Sequence, residues 1–262
     1  MTAATSSTPP VPRLLVWRHG RTGWNAAGRF QGQLDPPLDD EGRAQAARTA
    51  PVLAAALHGR RTVLVSSDLQ RAVDTAETLA PLLGQPVRVD ARLREHGLGS
   101  WEGLTRDEVA ERHPEQYADW LAGGPVLGRG GEAPDAVAAR ALAAVADLPE
   151  AEVAVLVTHG GLAGRLVEAL LGLGHEHRRV FGPLGNCHWS ELRYQDPGWR
   201  LMRHGLSAPA PSPDGYPAPA GSPARTPAGT QTGTQAGTAE DRRSAGPEES
   251  APEPPTDADA AG

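Results

Sequence analysis

Lysine is absent from this chain, and all 25 of its side chains that are basic at every physiological pH are arginines. Codon bias in a GC-rich genome accounts for most of these positions. Any arginine that meets an anion, however, offers a planar fork that binds it through two hydrogen bonds. Cysteine is almost absent too: Cys187 stands alone, which excludes an intrachain disulfide and a cysteine-based zinc site. No apolar run approaches the ~18 residues needed to span a bilayer, so no membrane partner is expected. The opening segment, MTAATSSTPPVP, has neither the basic region nor the apolar stretch of a secretory signal, and a cytoplasmic location is expected.

The largest deficit is regional. From Ser207 to Gly262, 56 residues contain no Val, Ile, Leu, Met, Phe or Trp, and Tyr216 is the one aromatic. This stretch holds 11 of the 25 prolines and has too little apolar surface to offset the entropy of ordering. Residues 207–262 are therefore expected to form a disordered, acidic tail, and residues 1–12 a shorter disordered segment. The remaining residues, 13–206, suffice for one well-buried domain. With eight acidic residues and three arginines, the tail carries most of the chain's net charge of −7 and leaves the domain near neutral. Such totals lack the basic surface of a nucleic-acid binder, and no nucleic-acid partner is expected.

Within the domain, Leu14–Trp17, Val63–Val65, Val87–Val89 and Val153–Val157 read as short buried strands. Stretches with helical spacing lie between and after them, at Glu41–Leu57, Arg71–Leu83, Asp135–Leu148 and Leu162–Leu171, with Asp39 or Asp40 as the cap of the first. Near the end, Cys187–Tyr194 and Trp199–Met202 flank Gln195-Asp196-Pro197-Gly198 and read as an antiparallel hairpin. Alternating strands and helices predict an α/β fold, a three-layer sandwich with a mostly parallel central sheet flanked by helices.

Open α/β sheets bind ligands at the carboxyl ends of their strands, and those ends are polar here. The first strand runs into Arg18-His19-Gly20 and the fourth into Thr158-His159-Gly160-Gly161, placing two histidines 140 positions apart at one sheet edge. The second leads through Ser66-Ser67-Asp68-Leu69-Gln70 to Arg71, and the third is followed by Arg92-Leu93-Arg94-Glu95-His96. Two histidines, two arginines and a glutamate suit phosphoryl transfer through a phosphohistidine. The guanidiniums of Arg18 and Arg71 would keep the imidazole neutral and nucleophilic and spread the charge of the transferring group without a metal. Glu95 would protonate the leaving alcohol and later deprotonate water. The Gly160 N–H, or a neighbouring helix N-terminus, would face the anion. Asp68 reads as a helix cap rather than an acid, and Glu102 as a loop support. His175-Glu176-His177 reads as solvated loop rather than a metal site.

These blocks, Arg18-His19-Gly20 with Thr22 and Asn25, Ser66 to Ala72 with Thr75-Ala76, Leu93-Arg94-Glu95 and Thr158-His159-Gly160-Gly161, resemble the histidine phosphatase superfamily on its phosphoglycerate-mutase-like branch. The resemblance covers essentially all of residues 13–203. It implies that His19 is the phosphorylated residue, that Arg18, Arg71 and His159 form the phosphate pocket, that Asn25 bonds the phosphoryl group and that Glu95 is the proton donor, while Gln31 is a candidate substrate contact. It implies no metal and no other cofactor. A second tripeptide, Arg203-His204-Gly205, lacks the following Thr and Asn and is read as a chance repeat. Only 64 positions separate Glu95 from His159, without the longer insertion that encloses a bisphosphorylated cofactor in the mutases, so hydrolysis of a small phosphomonoester is expected over transfer. Within the phosphatases, the runs Ser66 to Arg71, Val87 to Glu95 and Gln31 to Asp35, with Gly185-Asn186-Cys187-His188-Trp189, look most like the glucosyl-3-phosphoglycerate phosphatases of actinobacteria. That similarity implies a sugar or glycerate phosphate substrate. A cofactor-dependent mutase and an inactive phospholigand-binding module are the alternatives, and monomer and homodimer both stay open. His96 and the glycine-rich loop Ala122–Glu132 are where substrate choice is expected to diverge.

Overall fold

The computed structural model describes residues 8–124, 126–174, 177 and 180–210. In chain order the elements are β1 (Arg13–Arg18), α1 (Gly23–Ala26), α2 (Asp40–Leu57), β2 (Thr62–Ser66), α3 (Gln70–Glu77), α4 (Ala80–Leu83), β3 (Arg88–Val89), α5 (Arg106–Arg112), α6 (Pro114–Leu121), α7 (Pro134–Ala146), β4 (Val153–Thr158), α8 (Gly160–Leu170), β5 (Trp189–Gln195) and β6 (Gly198–Leu206). The six strands form one sheet in the order β3-β2-β4-β1-β5-β6. Its β3-β2, β2-β4 and β4-β1 pairs are parallel, whereas β1-β5 and β5-β6 are antiparallel. The expected sandwich is present, with the terminal hairpin added to one side of a parallel core. No helix among the described residues is long and apolar enough to cross a membrane.

Alternation along the strands sets the two helical layers. Leu14, Val16, Ala154 and Leu156 point to a core shared with Val137 and Ala141 of α7 and Leu162 and Leu166 of α8. Leu15, Trp17, Val155 and Val157 point the other way, to Leu53 of α2, Ala72 and Ala76 of α3 and Ala80 of α4. A separate aromatic cluster of Phe30, Trp101 and Trp120, with Leu98 and Val109, packs α5 and α6 against the segments that carry Phe30 and Trp101.

Several local expectations change. Asp39, not Asp40, caps α2 by accepting from Gly42 N. The helical stretch Arg71–Leu83 breaks between Glu77 and Ala80, because Pro81 has no N–H to continue the ladder and its ring crowds the carbonyl four residues back. Val87–Val89 is not a buried strand: β3 is two residues long at the sheet edge, and Val89 is exposed. The leading segment is not wholly outside the core. Val11 is buried in it, the Pro10 carbonyl accepts from Ala151 N, and the Pro12 carbonyl accepts from Tyr194 N. The expectations of disorder for residues 1–7 and for the tail from 211 onward fall outside the described residues, as do His175 and Glu176.

Candidate active site

Strand register assembles the site. Arg18 lies opposite Thr158 in the β1-β4 pair, and Ser66 opposite Val157 in the β2-β4 pair. The residues that leave these strands, His19, His159 and Ser67, are therefore neighbours. His19 N donates to Thr158 O at 2.9 Å, and Ser67 N to Val157 O at 2.9 Å. The two imidazole rings stand 5.1 Å apart, centroid to centroid, tilted by 58°. Gly20 follows His19 where no Cβ would fit, because the Gly42 carbonyl fills that space.

The protons of His19 are assigned by its surroundings. Nδ1 lies 2.7 Å from the Gly20 carbonyl, an acceptor only, so Nδ1 carries the hydrogen, and Nε2, buried and without a hydrogen-bond partner, carries the lone pair. Burial pushes the imidazole well below its ordinary pKa, and Arg71 and Arg18 push it further in the same direction. At neutral pH the ring is thus uncharged. For His159, Nε2 lies 2.9 Å from Ser67 Oγ, which also accepts from Leu69 N at 3.3 Å. A Ser67 hydroxyl that donates to Nε2 satisfies both contacts and leaves the hydrogen of His159 on Nδ1, buried and unpartnered beside His19.

Both site arginines are held by carbonyls. Arg18 Nη1 donates to Leu184 O at 2.6 Å; Arg71 donates through Nη1 to Leu34 O at 2.6 Å and through Nη2 to Gly32 O at 2.8 Å. Asp35 Oδ1, 3.5 Å from Arg71 Nη1, adds one partly exposed carboxylate to these carbonyl contacts. Thr22 organises the polar wall opposite: its hydroxyl lies 3.1 Å from Asn25 Oδ1 and 3.0 Å from Gln31 Oε1, and Asn186 Nδ2 donates to Asn25 Oδ1 and to His19 O, both at 3.2 Å. The side-chain oxygens of Asn25 and Gln31 are thus both engaged within this wall.

Glu95, 1% exposed, docks its carboxylate on the start of α8. Oε1 accepts from His96 N at 2.7 Å and Leu162 N at 2.8 Å, and Oε2 from Gly161 N at 3.0 Å. The helix start expected to face an anion is thus largely occupied by Glu95, which takes the N–H groups of Gly161 and Leu162. Glu102 behaves as a loop support, its Oε1 accepting from Gln33 N and Leu98 N. Asp68 is not a cap; it forms a two-point ion pair with Arg94, at 2.7 and 2.6 Å. Arg203-His204-Gly205 lies inside β6, where His204 bonds Ser190 and Gly182 O. Among the described residues no group of three or more His, Cys, Asp or Glu is placed to hold a metal ion.

Residues 14–207 match the family model of the histidine phosphatase superfamily, branch 1. The chain belongs to this superfamily. A glucosyl-3-phosphoglycerate phosphatase from Mycolicibacterium vanbaalenii is 42% identical over 212 residues, covering 73% of this chain and 93% of the relative. A Citrobacter koseri protein named "Probable phosphoglycerate mutase GpmB" is 38% identical, covering 76% of this chain and 96% of its own. Among solved structures, a mycobacterial glucosyl-3-phosphoglycerate phosphatase in complex with VO3 superposes with a TM-score of 0.68 at 40% identity, covering 75% of this chain and all of that one.

Several supports of this histidine phosphatase site were not legible in the sequence. Arg140 of α7 donates to the carbonyls of Arg92, Arg94 and Glu95 at 2.6–2.8 Å and so clamps the Glu95 loop. Cys187 adopts a left-handed φ of 58°, held by donation from its N–H to His19 O and by acceptance from Trp17 Nε1. Its one advance signal was its place in the Gly185–Trp189 run.

Buried histidines also make stability depend on pH. His19, His159 and His96 all have folded pKa values below the ordinary 6.5, chiefly through burial, with His96 pushed down to about 4. Above pH 6.5 neither the folded nor the unfolded chain holds these protons. Below it, the unfolded chain takes them up first, and the folded state loses about 1.4 kcal/mol per pH unit for each histidine until its folded pKa is reached. Urea midpoints measured from pH 7.5 to 4.5 are expected to stay level down to pH 6.5 and then fall steeply.

Proposed function

We propose that this chain is a phosphomonoesterase that works through phosphorylated His19. The observation that carries this reading is the buried Nε2 lone pair of His19, aimed by the Nδ1–Gly20 hydrogen bond and set beside Arg71 and Arg18, which help to hold the imidazole uncharged. In the first step Nε2 forms a bond to phosphorus as the phosphorus–oxygen bond to the alcohol breaks. Arg18, Arg71, the Nδ1–H of His159, and the amide donors of Asn25 and Gln31 hold the phosphoryl oxygens, with the Gly160 N–H. Glu95 gives its proton to the departing alkoxide. In the second step water attacks the phosphohistidine, Glu95 takes the water's proton, and inorganic phosphate leaves with the Nε2 lone pair restored.

The substrate we assign is glucosyl-3-phosphoglycerate, on the strength of relatives of that name at about 40% identity across the whole domain. A mutase reading draws support from the 38% identical GpmB relative. The retained set of His19, Arg18, Arg71, Glu95 and His159 speaks against an inactive module. A substrate panel decides among these: glucosyl-3-phosphoglycerate is expected to release phosphate without a bisphosphate primer, whereas primer-dependent isomerisation of 3-phosphoglycerate with little phosphate release would establish the mutase. Because the charge of the transferring group falls on guanidiniums, turnover with excess EDTA is expected to stay within twofold of turnover without it. A tenfold loss that added metal restores would overturn that part of the mechanism.

A further inference from the structure

Around His96, the residue after Glu95, gathers a second concentration of positive charge that the hydrolytic steps do not use. Arg129, in the glycine-rich loop after α6, is 7% exposed, and Arg165, on α8, is 5% exposed. Among the described residues Arg129 has no carboxylate within ion-pair distance. Its contacts are the face of Trp101, 5.3 Å from the ring centroid, and His96 Nε2 at 3.2 Å from Nη2.

The His96 contact cannot satisfy Arg129. His96 Nε2 also lies 2.8 Å from the Glu132 carbonyl, which can only accept. If the ring hydrogen goes there, Nη2 of Arg129 meets another donor; if Nε2 accepts from Arg129 instead, it faces a carbonyl oxygen with no hydrogen between them. The shorter contact favours the first arrangement and leaves a buried guanidinium hydrogen without an acceptor. Arg165 repeats the pattern: Nη1 reaches Glu168 at 3.1 Å, but Nε and Nη2 are buried without partners. Each guanidinium is near enough to His96 to push its imidazole towards the neutral form, and the two repel each other. A desolvated guanidinium without a carboxylate, as in Arg129, costs several kcal/mol unless an anion joins it, and Arg165, paired with Glu168 through Nη1 alone, still has two buried donors to satisfy.

The loop around them is built rather than loose. Arg129 O accepts from Ser100 N at 2.8 Å, Gly97 O accepts from Glu132 N at 2.9 Å, and Glu132 Oε2 accepts from Gly97 N at 2.8 Å. The segment 129–132 is thereby sewn to the segment that follows Glu95. His96 N is itself a donor to Glu95 Oε1, which places this charge next to the group that protonates the leaving oxygen.

We infer that Arg129, backed by Arg165 and His96, binds an acidic group on the alcohol portion of the substrate, and that this group is a carboxylate close to the phosphate. The inference rests on the phosphomonoesterase reading and adds to it the residues that select a phosphorylated hydroxy acid over a neutral alcohol phosphate. A carboxylate there would accept from Nη2 of Arg129 and from the unpartnered Nε–H and Nη2–H of Arg165, and would offset both charges.

The test compares two phosphates that differ by one group, 3-phosphoglycerate and glycerol 3-phosphate, on the full-length enzyme. The wild type is expected to favour the carboxylate by about 30-fold in kcat/KM, the value of one or two charge-assisted hydrogen bonds. In Arg129→Gln that preference is expected to collapse to within threefold, and Arg129→Lys, which keeps the charge but not the fork, should retain part of it. No preference in the wild type overturns the inference, as does a preference that survives in both variants. A loss in Arg129→Gln equal on both substrates also overturns it and marks Arg129 as a support of the loop. Failure of the wild type to release phosphate from these two compounds and from glucosyl-3-phosphoglycerate alike would instead overturn the phosphomonoesterase reading.

Discussion

Replacing His19 by alanine is expected to lower phosphate release by at least about 10⁴-fold and to remove the acid-labile, base-stable label that a phosphorylated substrate leaves on the wild type. The size follows from what the imidazole supplies. Its Nε2 lone pair is desolvated in advance, its hydrogen is held on Nδ1 by Gly20 O at 2.7 Å, and burial with Arg71 and Arg18 keeps the ring uncharged at neutral pH. Without it, water would have to attack the ester directly in a pocket shaped for a ring nitrogen. His159→Ala is the informative companion. In the mechanism His159 only donates a hydrogen bond to a phosphoryl oxygen, so its removal should cost about 10²–10³ in turnover while the label persists on His19. Label retained by His19→Ala and lost in His159→Ala would exchange the two roles.

That experiment has a clear target because the strand ends were legible in the sequence. Leu14–Trp17 and Val153–Val157 are apolar runs that stop abruptly at Arg18-His19 and Thr158-His159, and parallel pairing then sets the histidines side by side. Features read correctly in this way are local ones: a buried apolar strand, a helix cap at the Asp39-Asp40 pair, a turn at Asp196-Pro197. Those misread depend on distant partners. Asp68 looked like a cap because its partner, Arg94, lies 26 positions away across the loop from β3. Arg140 looked like one surface arginine among many, yet it holds three carbonyls 45 to 48 positions earlier. Nothing in local periodicity reports such contacts. The exposure of Val89 has the same origin, since its hydrophobicity signals a strand and only the sheet order makes that strand an edge. In Arg129 the sequence carried part of the information, the glycine-rich loop and the adjacent His96. Only the burial of its charge shows what that loop could bind.

Substituting Glu95 by alanine should separate substrates by their leaving groups. An alkyl phosphate must receive a proton as its phosphorus–oxygen bond breaks, and loss of the donor is expected to cost about 10²–10⁴ in kcat/KM. A p-nitrophenyl ester leaves as a stable anion, so its kcat/KM, which reports the first chemical step alone, should fall by less than about tenfold. The second step is different, because water attacking the phosphohistidine needs the same carboxylate as a base whatever the first leaving group was. With p-nitrophenyl phosphate the variant should therefore accumulate phosphorylated His19 and show a rapid burst of nitrophenol followed by slow turnover. Glu95→Gln keeps the side chain's shape but opposes an amide NH2 to one of the N–H donors of His96, Gly161 and Leu162 that now hold the carboxylate, so it should show the same divergence with some loss of stability. Equal losses on both esters would take the proton donation away from Glu95. Suspicion would then move to Glu102, but its Oε1 is already spent on the N–H groups of Gln33 and Leu98, and Glu102→Gln should slow both esters alike through the loop it supports.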